Sequence, residues 1–136
     1  MTTDYTWRGD FDDVEINALH AAAFETRVFS PEEWPWRAQV ERHSLGWVTA
    51  RNGDELVGFV NVAWDGLVHA WLQDTMVQPS HHHQGIGEQV VAHATEGARG
   101  AGCEWLHVDF DDHLRAFYFG RCGFTPTNAG LIALQA

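Results

Sequence analysis

Between residues 69 and 100 the spacing of apolar residues changes period, and this change restricts the fold more than any other feature of the chain. His69 to Val77 reads as a strand, stopped by Pro79. After Gly85 the pattern turns helical: Ile86, Val90, Val91 and Ala94 share one face, with Glu88, Gln89, His93 and Glu96 elsewhere. The link between them is the turn Gln84-Gly85-Ile86-Gly87. A helix N-terminus carries unpaired N–H groups and a partial positive charge. Glycines at 85 and 87 let that backbone approach an anion with no Cβ in the way, so a strand–glycine turn–helix is a ready phosphate site. Taken alone, the same turn serves equally well as a tight strand-to-helix connection.

The rest of the chain supplies elements for an α/β domain. Residues 4–9 form a short first strand, and Asp12 or Asp13 starts a helix carrying Val14, Leu19, Ala22 and Phe24. Ser30-Pro31-Glu32-Glu33 predicts a second helix with Ser30 as N-cap, Pro31 in the first position and Glu33 closing a capping box. That helix would carry Trp34, Trp36 and Val40. Trp47–Ala50 and Leu56–Trp64 read as strands joined by a hairpin at Asn52-Gly53. Asp65-Gly66 marks the turn before strand 69–77. Gly100 and Gly102 end the helix that starts at Gly85. Glu104 to Phe110 alternates, with Leu106, Val108 and Phe110 on one face and Trp105, His107 and Asp109 on the other. Asp111 or Asp112 caps a last helix with Leu114, Phe117 and Tyr118, ended by Gly123, and Phe124–Leu134 supplies one or two final strands. The predicted order, β-α-α-β-β-β-α-β-α-β-β, is a mixed sheet with helices on both faces, in one domain over residues 1–136.

Composition narrows the function. The net charge is −11, which repels nucleic acid phosphates and favours a cationic partner such as an amine. No apolar run reaches the roughly 18 residues of a membrane span. The polar, acidic first 15 residues do not resemble a signal peptide, so a cytoplasmic location is expected. Cys103 and Cys122 are far apart and read as buried free thiols. His81-His82-His83 is the one unusual local run. Three consecutive residues do not readily converge on one ion, and no cysteine or carboxylate is spaced to help, so no metal is expected.

Val77-x-Pro79 followed by His82-His83-Gln84-Gly85-Ile86-Gly87 resembles the acetyl-CoA signature of the GNAT superfamily (Gcn5-related N-acetyltransferases), Arg/Gln-x-x-Gly-x-Gly/Ala. Ala116-Phe117-Tyr118 followed by Gly123-Phe124 resembles the family's second signature. The element order matches as well, so the resemblance covers residues 4–136. It departs at two positions: His82 stands where Arg or Gln is usual, and Asp111 stands where an Asn often opens the last helix.

The resemblance implies an acyl-CoA N-acyltransferase fold in which strands 69–77 and 104–110 splay apart to admit the pantetheine arm. It implies that backbone groups near Met76 and Val77 pair with that arm. The turn His82, His83, Gln84, Gly85, Ile86, Gly87 and Glu88 would hold the pyrophosphate of acetyl-CoA, with Asp111 close to the arm. An amine attacks the acyl carbonyl directly, and Tyr118 protonates the departing thiolate. For the base, Asp74 is the first candidate, with His69 and His107 behind it. Where some members hold a glutamate base this chain has Trp71, which leaves a water relay open. Glu33 and Trp36, with Glu32 and Trp34, lie in the helix that often walls the acceptor site in this family, and carboxylates beside aromatic rings suit a cationic amine. The expected function is acetyl-CoA-dependent transfer to a primary amine of a small molecule or peptide, by a monomer or a homodimer. A catalytically silent GNAT-like domain that senses acyl-CoA is the alternative. A phosphate-binding domain without CoA would leave Tyr118 and Gly123-Phe124 unexplained.

Overall fold

The computed structural model describes residues 2–135. Its elements are β1 (Asp4–Trp7), α1 (Asp13–Phe24), α2 (Trp36–His43), β2 (Ser44–Asn52), β3 (Glu55–Trp64), β4 (His69–Val77), α3 (Ile86–Gly100) and β5 (Trp105–Val108). A 3₁₀ turn (Asp112–Leu114) and a π-helix (Ala116–Arg121) follow. The five strands lie in sequence order, antiparallel except for the parallel pair β4–β5. That parallel pair requires a crossover, and α3 supplies it.

Alternation along the strands makes two cores. Val48, Val60, Val62, Ala70 and Leu72 face α3, whose Val90, Val91 and Ala94 cover them. Trp47, Phe59 and Met76 face the opposite way, against Ile16 and Leu19 of α1 and Trp36 and Val40 of α2. The sheet is therefore covered on both faces over β2 and β3. Asp12 caps α1, with Glu15 returning the bond to the Asp12 N–H, a complete capping box. The hairpin forms as predicted, with Gly53 taking positive φ (58°) and Asn52 paired with Glu55.

Three predicted regions differ: the second helix, the final strands, and the last helix, which forms as the 3₁₀ turn and π-helix with no side-chain cap from Asp111. The Ser30 box does form: the Glu33 N–H donates to Ser30 Oγ at 3.2 Å and the Ser30 N–H donates to the Glu33 carboxylate at 3.0 Å. It closes a single turn, however, and α2 begins only at Trp36, with Pro35 in the N-cap position. Pro35 lacks an N–H and its ring would clash inside a helix begun at residue 31, so the chain unwinds and starts again. The final strands are absent from the described residues. Residues 124–134 run without a ladder, and Leu131, Ile132 and Leu134 are exposed. Pro126 and Gly130 interrupt the run, and β5 offers only four residues as an edge.

Under α1 lies an enclosed imidazole. His20 sits among the rings of Phe24, Phe29, Trp34 and Trp36, at centroid distances of 4.9–5.9 Å, and its Nδ1 has no hydrogen-bond partner. Burial pushes its pKa below the ordinary histidine value. Above about pH 6.5 the ring is neutral in both folded and unfolded chains. As pH falls below that value the unfolded chain takes up the proton first, so stability is lost on acidification. The melting temperature of wild type should drop between about pH 8 and about pH 5 by more than that of His20→Phe. Parallel curves for the two proteins would show that His20 does not carry the effect.

Candidate active site

The site begins with an irregularity in β4. Phe59 faces Met76 and Asn61 faces Gln73, so β4 spends one more residue than β3 over the same interval. Asp74 occupies this bulge with φ +57°. A bulge bends its strand and increases its twist. On the other edge, β4 keeps its ladder to β5 only from His69 to Leu72, against Trp105–Val108. Beyond that point the strands part. A cavity of about 410 Å³ opens between Gln73–Thr75 on one side and Val108–Asp109 on the other, with Trp71, Leu72 and Tyr118 completing its lining.

Tyr118 reaches the cavity from the π-helix. The Cys122 N–H donates to the Phe117 carbonyl at 2.9 Å, five residues back, and the Phe124 N–H donates to the Tyr118 carbonyl at 3.0 Å. Single π-turns of this kind occur often at functional sites. The phenol is 6% exposed, stacks on Phe110 at 4.6 Å and donates to Thr75 Oγ1 at 3.1 Å. Burial pushes its pKa above the ordinary tyrosine value, so at neutral pH it holds its proton and can give it up as an acid. For Asp74, too, burial raises the carboxyl above the usual range, which makes the carboxylate a better proton acceptor. The Cys122 thiol is pushed up to about 11, mainly by burial, and at neutral pH is not a thiolate nucleophile.

After β4 a 3₁₀ turn (Pro79–His81) and the loop 82–84 lead into the glycine turn. The first helical bond of α3 runs from the Gln89 N–H to the Gly85 carbonyl at 3.1 Å. The N–H groups of Ile86, Gly87 and Glu88, the first three helical positions, therefore have no acceptor within the helix. Gly85 has φ +78° and open space around its Cβ position. It is needed for conformation, since another residue there would cost about 1–2 kcal/mol. Gly87 differs: an added Cβ would lie 3.3 Å from the Phe117 ring and 3.5 Å from Val77. Its missing side chain lets the Tyr118 segment close onto the end of β4. The cavity and the anion turn are joined at this contact.

A diverging parallel pair, a left-handed residue at the bulge, a tyrosine on a π-turn and a glycine-opened helix are thus assembled in one place. The profile of the acetyltransferase (GNAT) family matches residues 14–124. The chain belongs to the GNAT acetyltransferase family. Among solved structures, a GNAT-family acetyltransferase from Streptococcus pneumoniae superposes with a TM-score of 0.75, at 20% identity over 98% of this chain and 100% of that one. Glucosamine-6-phosphate N-acetyltransferase from Arabidopsis thaliana gives a TM-score of 0.78, at 14% identity over 98% of each chain. AAC(6')-Iy, in complex with a CoA-linked acetylneamine bisubstrate analogue, gives 0.78 at 14% identity, over 100% of this chain and 99% of that one. A curated relative, glucosamine 6-phosphate N-acetyltransferase 1 from Oryza sativa subsp. japonica, is 35% identical over 57 residues, which span 42% of this chain and about a third (34%) of the relative.

In this GNAT domain the residues expected at the acceptor wall are placed elsewhere. Trp36 is completely buried; it stacks on Trp34 at 4.2 Å and its indole N–H donates to Asn17 at 2.9 Å. It belongs to the core beneath α1 and offers no surface to an acceptor. Glu33 is exposed and committed to Arg27 at 2.7 Å and to the Ser30 turn, with its pKa held at about 2 chiefly by Arg27. It ties down the loop before α2.

At the donor end, His82 and His83 are exposed on the loop before Gly85, with His83 at φ +66°. His81 turns aside toward Glu55 at 3.9 Å. Met76 is buried among α1 and α2, so only its backbone is available to a ligand. Asp111 is exposed and precedes the 3₁₀ turn, with no side-chain capping bond. Among the described residues no group of three metal-ligating side chains converges, and no helix is long and apolar enough to cross a membrane. Gln73, Thr75 and Asp109 line the cavity without having been singled out by sequence. Asp109 had a signal: it continues the exposed face of Trp105 and His107.

Proposed function

We propose that this GNAT protein transfers the acetyl group of acetyl-CoA to a primary amine by direct attack. The observation that carries the reading is the cavity between β4 and β5, with Asp74 and Tyr118 on its wall and the free N–H groups of α3 at the end of the same strand. The donor's pyrophosphate is held at the N–H groups of Ile86, Gly87 and Glu88, flanked by His82, His83 and Gln84. Its pantetheine arm lies where β4 and β5 part, alongside the backbone of Met76 and Val77 and near Asp111.

The amine nitrogen bonds to the thioester carbonyl carbon after losing its proton to Asp74. The carbon–sulfur bond then breaks, and the sulfur takes the proton of the Tyr118 hydroxyl. The raised pKa values of both groups suit these roles: Asp74 accepts more readily than an ordinary carboxylate, and Tyr118 keeps its proton until sulfur needs it. The acceptor is a small molecule or a peptide amine. A donor drawn from the cytoplasmic pool fits two free cysteines and a cytoplasmic setting.

The test is a thermal-shift titration with acetyl-CoA, paired with a thiol-release assay across amino sugars, polyamines, amino acids and peptides. Stabilisation together with thiol release on one amine class is the expected result. Stabilisation with no release across the panel favours a donor-sensing domain. No stabilisation by any CoA ester overturns both.

A further inference from the structure

The GNAT reading leaves the nature of the amine open, and the cavity wall opposite the donor turn bears on it. Ala70 and Leu72 point into the core beneath α3. By alternation, Trp71 points to the other face of the sheet, away from the helix whose N-terminus holds the donor. Trp71 is 38% exposed, yet it is not a loose surface ring. Across the parallel pair it stacks on His107 at 5.1 Å and 19°. His107 Nε2 is in turn within 2.9 Å of His69 Nδ1, and His69 lies 6.1 Å from the indole. Two imidazoles that share a hydrogen bond thus buttress one partly exposed indole, which borders the cavity. A large apolar ring held rigid at the edge of a polar cleft is characteristic of a ligand platform.

The remaining lining defines what can lie on that platform. Gln73, Asp74 and Asp109 offer hydrogen-bonding groups, and the only formal charges in the lining are the two carboxylates. All eight basic residues of the chain are arginines and none lines the cavity. Arg27, Arg37, Arg51 and Arg99 are paired with acidic side chains elsewhere. A phosphate on the acceptor would meet two like charges and no counter-charge, which opposes its binding.

We propose that the acceptor is an unphosphorylated amino sugar, with the C–H face of its ring on Trp71 and its hydroxyls toward Gln73 and Asp109. Burying that apolar face against the indole removes both from water, while the ammonium is drawn to the carboxylates. The proposal rests on the acetyltransferase reading and makes Trp71 a specificity-determining residue, positioned by His107 and His69.

The experiment compares glucosamine, glucosamine 6-phosphate and a linear alkyl diamine as acceptors, with wild type, Trp71→Ala and Trp71→Phe. Wild type should prefer glucosamine over its 6-phosphate by about tenfold or more in kcat/KM. Trp71→Ala should raise KM for glucosamine by about tenfold, with kcat and the KM for acetyl-CoA much less affected, and Trp71→Phe should recover most of the loss. A preference for the phosphorylated sugar overturns the proposal. So does a Trp71→Ala effect that is equal for glucosamine and the diamine. Thiol release with the diamine and none with glucosamine overturns the proposal and leaves the acetyltransferase standing; failure of every amine, with no stabilisation by acetyl-CoA, is failure of the underlying reading itself.

Discussion

Tyr118→Phe should lower kcat by about 10²–10⁴-fold, the usual contribution of a positioned general acid, and leave acetyl-CoA affinity nearly intact. This corresponds to about 3–5 kcal/mol of transition-state stabilisation. The substitution removes one hydroxyl and keeps the ring stacked on Phe110 and packed edge-on against Phe117 and Phe124. Its structural cost is one hydrogen bond to Thr75, about 0.5–1.5 kcal/mol of stability. In the proposed binding mode the donor is held by the glycine turn and the parted strands, which the change does not touch. Because burial raises the pKa of the phenol, the alkaline limb of the wild-type pH–rate profile, where Tyr118 loses its proton, lies above the ordinary tyrosine value of about 10. Steady-state kinetics, with a direct acetyl-CoA titration of both proteins, decides the matter. An unchanged kcat removes Tyr118 from the chemistry and leaves it a core residue.

Much of the frame could be read from local patterns because local physics makes it. The change of period at Gly85, the Asn52-Gly53 hairpin and the alternation of β5 depend on residues within a few positions of one another, and all three form. The Ser30–Glu33 box was equally local and also forms, but Pro35, two residues past Glu33, forbids the helix it announces, and the aromatic pair beyond it is claimed by the core. The tail from Phe124 had the apolar content of a strand and found no partner, since a ladder depends on a neighbour's edge that a sequence window does not contain. The cavity was illegible for the same reason. It exists because β4 carries one residue more than β3 opposite Val60, a mismatch between segments that meet only in the folded sheet. Asp74 could be named as a candidate base from its place on the strand, but its left-handed backbone and its burial come from that mismatch. Gln73, Thr75 and Asp109 become site residues only once the strands part.

Asp74→Asn separates the chemistry of that position from its geometry. Asn enters the left-handed region as readily as Asp, so the bulge and the cavity should persist. Asp74→Ala, by contrast, would add about 1–2 kcal/mol of backbone strain. The direction of the stability change is fixed by the raised carboxyl pKa. The fold disfavours the ionised form, so at neutral pH the wild-type carboxylate costs stability that a neutral amide does not, and Asp74→Asn should melt at the same temperature as wild type or higher. Activity should move the other way. With an alkylamine, protonated at neutral pH, loss of the proton acceptor should reduce kcat/KM by about 10²–10⁴-fold. With an amine of low basicity, already neutral at the same pH, no proton has to be removed before attack and the loss should be much smaller. Below neutrality the wild-type rate should fall as Asp74 takes up a proton, with a midpoint above the ordinary carboxylate value, and that limb should be missing in Asp74→Asn. Equal losses for both amines, in a variant of undiminished stability, would assign proton removal to water or to another group, and Asp74 would remain only the residue whose backbone opens the sheet.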